Sequence, residues 1–124
     1  MTSKIPQGDV ASKTKGLHHW WLQRVTAVAL IPLTIWLTYA VICIAGADYD
    51  TVHSKLSEPS TAILTILLIV VSFYHAALGM QVVFEDYVST IKIRNVCIVC
   101  SNLILLLLAL AGVLAVVSIA FGGK

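Results

Sequence analysis

The sequence predicts an all-α integral membrane protein, a bundle of three transmembrane helices. Three observations carry that expectation. Hydrophobic residues make up 59% of the 124-residue chain and charged residues only 11%, whereas a soluble domain carries roughly 25% charged residues. With so little polar surface, most of the chain must be solvated by lipid. Three apolar segments, about 25–46, 61–84 and 96–121, each reach the roughly 20 residues that cross a hydrocarbon core. Finally, Lys and Arg are divided unevenly among the segments that flank these spans.

Residues 1–24 form a polar, basic segment, and residues 25–124 a single membrane domain. The leading segment holds Lys4, Lys13, Lys15 and Arg24 against the one acid Asp9. It has no apolar centre and no small-residue cleavage site, so it does not read as a cleavable signal peptide. The first span contains Pro32, which predicts a mild kink, because neighbouring groups satisfy the freed carbonyl. Ser57 and Pro59 read as the start of the second span, a cap followed by a first-turn proline. The third span includes the apolar run from Leu103 to Leu108.

Orientation follows from the positive-inside tendency. Four basic residues precede the first span, and the second loop adds Lys92 and Arg94. The first loop has only Lys55, against Asp48, Asp50 and Glu58, and the C-terminus has only Lys124. Six of the eight basic residues thus share one side. That side is expected to be cytoplasmic (or matrix), with the N-terminus on it and the C-terminus periplasmic.

The three cysteines, Cys43, Cys97 and Cys100, are an odd number in an apolar chain, which argues against a disulfide framework. Cys97 and Cys100 form a C-x-x-C at the start of a span. Without a second pair they read as small reduced residues packed between helices.

The most informative residue is His75. It lies about nine residues from the cytoplasmic end of the second span, roughly 13 Å deep at 1.5 Å per residue. Ionisable groups at that depth usually face a bundle interior, a ligand or a proton path. Two readings fit: a histidine bonded to a neighbouring helix, or a neutral imidazole ligating haem iron. Gly79, one turn on, shares the His75 face. It either admits a flat macrocycle or serves close helix packing. Asp86 is eleven residues on, only about 20° off three full turns and about 16 Å further along the same face. Asp86 and Tyr87 are either an interfacial anchor or a carboxylate and phenol suited to proton delivery and carbonyl binding. His18, His19, Trp20, Trp21, Gln23 and Arg24 precede the first span. They read as an aromatic and basic belt, or, through His18 and Arg24, as partners of an anion at that membrane face.

The stretch from Ser72 to Tyr87, with His75-Ala-Ala-Leu-Gly79-Met and then Asp86-Tyr87, resembles the haem-ligand helix of the small, D-type membrane anchors of succinate dehydrogenase. The stretch His18-His-Trp-Trp-Leu-Gln-Arg24-Val-Thr-Ala resembles the start of that family's first helix, in the form typical of the alphaproteobacterial and mitochondrial branch. The resemblance covers the whole chain. It implies that His75 is one axial ligand of a haem b whose second ligand comes from a large cytochrome b anchor subunit. It implies that Arg24 and His18 lie near its propionates, and Gly79, on the same face as His75, could then let the macrocycle lie against the helix. Tyr87 would hydrogen-bond a ubiquinone carbonyl, and Asp86 would support Tyr87 or relay protons. Flavin and iron–sulfur chemistry would belong to a flavoprotein subunit and an iron–sulfur subunit. The chain would carry no catalytic residue for succinate itself. It has neither a dinucleotide-binding glycine motif nor a four-cysteine cluster motif. The implied setting is electron transport and the tricarboxylic acid cycle in a bacterial inner membrane, or in the mitochondrial inner membrane if the chain is organellar.

Three other readings remain at this level. One is the anchor of a fumarate reductase. Another is a small ion-coupled carrier using His75 and Asp86, although such carriers more often have an even number of spans built as repeats. The last is a haem-free assembly subunit in which His75 is structural.

Overall fold

The computed structural model describes residues 7–122. Lys4 and Lys124, two of the charges used for orientation, lie outside them. The order of elements is α1 (Gln7–Ile44), α2 (Tyr49–Ser57), α3 (Pro59–Tyr87) and α4 (Ile91–Gly122), with no strand among the described residues. The segments Ala11–Ile44, Pro59–Tyr87 and Ile91–Gly122 are each long and apolar enough to cross a membrane. This is a multi-pass, all-helical membrane protein.

α1 begins well before the first apolar span. Between Gln7 and Arg24 the only glycines are Gly8, in the first turn, and Gly16, and there is no proline, so nothing in that stretch stops a helix. A helix boundary and a hydrocarbon boundary need not coincide. The 38 residues of α1 extend about 57 Å, nearly twice a hydrocarbon core of about 30 Å. The N-terminal turns therefore project beyond it. Pro32 lies inside α1 without interrupting it. The helix stops at Ile44 because Gly46 turns the chain with φ 83°, a conformation that costs glycine little.

Between the first two long helices lies a short one, α2, which hydropathy alone does not reveal. Its presence moves the start signal of the next helix. Glu58 is the N-cap of α3 and Pro59 occupies its first turn, whereas Ser57 is the last residue of α2. The Ser57 hydroxyl lies 2.8 Å from the His53 carbonyl and 3.2 Å from that of Ile119. It therefore ties α2 to the far end of α4 instead of capping α3. Lys55 and Glu58 form an exposed ion pair at 3.0 Å.

α3 sits in the middle, packed against α1 on one side and α4 on the other. The α3–α4 approach depends on Gly112, where an added Cβ would lie 3.3 Å from Ile69 Cδ1. Small residues at such points let membrane helices meet closely. Among the described residues only Leu33, Ala62, Leu78 and Thr26 are buried. The other apolar side chains are half-buried between helices or exposed, as lipid or other helices require.

Candidate functional site

The seam between α1 and α3 is built from a helical repeat on each side. On α1, Leu22, Thr26, Leu30 and Leu33 fall on one stripe. On α3, His75, Leu78, Gly79 and Val82 do the same, at the i, i+3, i+4 and i+7 spacing that lines one helix face. Leu33 and Leu78 are buried there. In a seam this apolar, a polar side chain needs a partner, and Thr26 and His75 supply one another. Thr26 Oγ1 lies 2.8 Å from His75 Nδ1. The same oxygen is 2.8 Å from the Leu22 carbonyl and 3.1 Å from that of Gln23. Thr26 is the one buried polar residue of the described chain, at 8% exposure.

The other ring nitrogen of His75 is placed differently. Among the described residues His19 Nε2 is the sole buried side-chain nitrogen or oxygen without a partner. His75 Nε2, which no group of the described residues bonds, must therefore reach their surface. One edge of the imidazole is anchored to α1, and the other is open to whatever lies beside the helix pair.

Gly79 completes this part of the site. A Cβ there would meet only Gln23 Nε2, at 3.8 Å, an ordinary contact with the end of a flexible side chain. The packing of α1 against α3 does not require glycine at 79, in contrast to Gly112.

Along the seam, toward the start of α1 and the end of α3, a groove of about 960 Å³ is lined by Lys15, His18, His19, Gln23, Gln81 and Glu85, among others. Gln81 donates to Glu85 at 2.8 Å. His19 turns its unpartnered Nε2 inward in this neighbourhood. His75 is not among the lining residues.

Of the residues singled out from the sequence, His75 and Gly79 share the seam, and His18 lines the adjoining groove. Arg24 stands apart. Its guanidinium lies 5.2 Å from the Trp20 ring centroid, a cation–π contact, and Trp20 packs edge-on against Trp21. Arg24 is two residues before Thr26, about 200° around the helix. With Thr26 against His75, Arg24 leaves α1 on the other side, and its head group lies over Trp20, which itself lines the groove. Asp86 and Tyr87 end α3 and are exposed, Tyr87 at 85%.

Sequence reasoning gave Thr26 no role. Nothing local separates it from Thr34 and Thr38, whose hydroxyls bond the carbonyls of Leu30 and Thr34 in their own helix. Only the pairing of α1 with α3 does. Among the described residues no three His, Cys, Asp or Glu side chains converge, so they build no complete metal cage. Cys43, Cys97 and Cys100 are free thiols.

Residues 6–120 match the family of succinate dehydrogenase/fumarate reductase transmembrane subunits. The succinate dehydrogenase hydrophobic membrane anchor subunit of Rickettsia bellii is 38% identical over 108 residues, covering 87% of this chain and 86% of that one. Its counterpart in Rickettsia felis is 40% identical over 106 residues, covering 86% and 88%. The succinate dehydrogenase membrane anchor subunit of Reclinomonas americana is 36% identical over 86 residues, 67% of this chain and 72% of that one. A three-span helical chain, matched over most of its length by the family model and by these anchors, belongs to the succinate dehydrogenase/fumarate reductase transmembrane subunit family.

Proposed function

We propose that this chain is the small membrane anchor subunit of a succinate dehydrogenase, that His75 is an axial ligand of a haem b, and that Asp86 and Tyr87 contribute to a ubiquinone site. The anchoring role is supported by the family match and by the relatives' names. The haem reading is supported above all by one observation: the mid-span His75 has Nδ1 held by Thr26 while Nε2 is open at the surface.

The residues present fit such a group. A metal-ligating histidine characteristically engages its second ring nitrogen in a hydrogen bond that fixes the ring, and His75 has that arrangement. Gly79 leaves room beside it that internal packing does not use. When bound, a b-type haem supplies a one-electron centre inside the membrane. His75 would hold its iron through Nε2. The second axial ligand would come from a large cytochrome b anchor subunit, because the described residues bring no second histidine to this point. His18, which lines the groove adjoining the seam, suits one propionate. Arg24, over the Trp20 ring at the same groove, would lie near the propionates as well.

Quinone reduction takes up protons from water, so its site belongs near the interface. Asp86 and Tyr87, exposed at the end of α3, suit that position. A phenol donates a hydrogen bond to a quinone carbonyl, and the bond strengthens as negative charge develops on the oxygen. The neighbouring carboxylate orients the phenol and passes protons inward. The iron–sulfur and flavoprotein subunits would deliver electrons from succinate, and the N-terminus would face the cytoplasm in an inner membrane.

Purification of the tagged chain in mild detergent tests the reading. It should bring down flavoprotein, iron–sulfur and cytochrome b subunits together, with a b-type visible spectrum. An isolated chain without pigment would overturn it in favour of a haem-free assembly subunit or a carrier.

A further inference from the structure

We propose that Thr26 is a positioning residue that fixes His75 in the Nδ1–H tautomer and thereby presents the Nε2 lone pair to iron. The inference rests on the haem reading above and adds a residue to it.

A neutral imidazole carries one proton, on either ring nitrogen. The Thr26 hydroxyl also carries one. Its oxygen lies within bonding distance of three groups: the carbonyls of Leu22 and Gln23, which can only accept, and His75 Nδ1. Two arrangements are possible. In the first, the hydroxyl donates back to Leu22, as helical threonines do to the carbonyl four residues before. Nδ1–H then donates to Thr26 Oγ1, and Nε2 keeps a free lone pair. In the second, the hydroxyl donates to Nδ1 and the imidazole proton moves to Nε2, where no protein acceptor stands.

The first arrangement makes two hydrogen bonds and the second makes one. The second also leaves an N–H unpaired in an apolar setting, which is the more costly outcome. The seam therefore selects the tautomer with Nδ1 protonated. The Leu22 carbonyl supports the hydroxyl, the hydroxyl supports the ring, and the ring is aimed before any metal arrives. Burial of Thr26, at 8% exposure, keeps water from replacing it.

The hydrogen bond also has an electronic consequence. Donation from Nδ1–H to an oxygen makes Nε2 a stronger donor. A stronger donor favours the ferric over the ferrous state, so Thr26 lowers the midpoint potential of the centre that His75 ligates.

The test compares Thr26→Val and Thr26→Ser in the purified complex, with His75→Ala as reference. Valine keeps the shape and removes the oxygen, and serine keeps the oxygen and removes the methyl group. Thr26→Val is expected to weaken haem retention about 10- to 100-fold, the usual size of losing such an outer partner, to raise the midpoint potential, and to shift the low-spin electron paramagnetic resonance signal. Thr26→Ser should stay close to wild type in all three. A role in packing alone predicts the reverse, with valine silent and serine the more disturbed. If Thr26→Val has a wild-type potential and spectrum while His75→Ala loses low-spin haem, the tautomer role is wrong and the haem reading stands. If His75→Ala itself keeps a normal low-spin signal, both fail.

Discussion

Replacing Gly79 separates two reasons for having a glycine on the His75 face. If the residue exists to let α1 and α3 meet, any Cβ should strain the helix pair. The structure argues otherwise, since an added Cβ meets only the amide end of Gln23, at 3.8 Å. Gly79→Ala should therefore leave the chain folded and gain about 0.5–1 kcal/mol from the better helix former. Gly79→Val adds two further methyl groups on the helix face that carries His75. If a haem fills that space, overpacking should cost about 1–3 kcal/mol, or roughly 5- to 150-fold in haem affinity at about 1.4 kcal/mol per decade. Gly112→Val is the control. There the Cβ already lies 3.3 Å from Ile69 Cδ1, so the larger side chain should loosen α3 from α4 and lower the unfolding temperature. The assay is haem per purified complex, measured alongside thermal unfolding. Gly79→Val should lose haem before it loses assembly, and Gly112→Val should lose assembly first. A Gly79→Val complex that holds haem as tightly as wild type would refute the reasoning and make Gly79 an ordinary packing glycine.

Two other predictions follow from the proposed site. Tyr87→Phe should lower succinate–quinone activity by about ten- to a thousand-fold, the scale of losing one oxyanion donor, while dye-linked succinate oxidation and haem content stay near wild type; full quinone activity would return Tyr87 to an interfacial anchor. A reporter enzyme fused after Lys124 should be active on the periplasmic side, and cytoplasmic activity would invert the orientation inferred from the basic residues.

Much of the fold was legible in the sequence because lipid imposes a simple rule. Twenty apolar residues in a row have few alternatives to a spanning helix, so three spans followed from hydropathy. What hydropathy cannot report is helix outside the hydrocarbon. The N-terminal turns of α1 and the whole of α2 are polar enough to read as loop, and their helical state is set by local propensity. The Ser57 expectation failed for the same reason: a cap was sought for a helix whose neighbour, α2, had not been anticipated.

The site divides along a different line. His75 and Gly79 were legible because a polar group and a glycine one turn apart are conspicuous in an apolar span. Asp86 was aligned with them by periodicity alone. Thr26 was not legible, because its role depends on which of the three threonines in the first apolar span meets α3, and that is a tertiary fact. Arg24 was legible in part. A basic residue at the head of a span invites pairing with an anion, and that its place over Trp20 lies at the groove beside the seam follows from the packing of α1 and not from the local sequence.

The central claim is that His75 holds iron through Nε2 in the assembled membrane complex. The direct measurement is the low-temperature visible and electron paramagnetic resonance spectrum of the His75→Ala complex beside wild type. Both spectroscopies are needed because water or a nearby side chain could retain some pigment in a changed spin state. The account predicts that the wild-type bis-histidine, low-spin signal disappears, whether haem is lost or converted to high spin. An unchanged low-spin, bis-histidine signal in His75→Ala would contradict it.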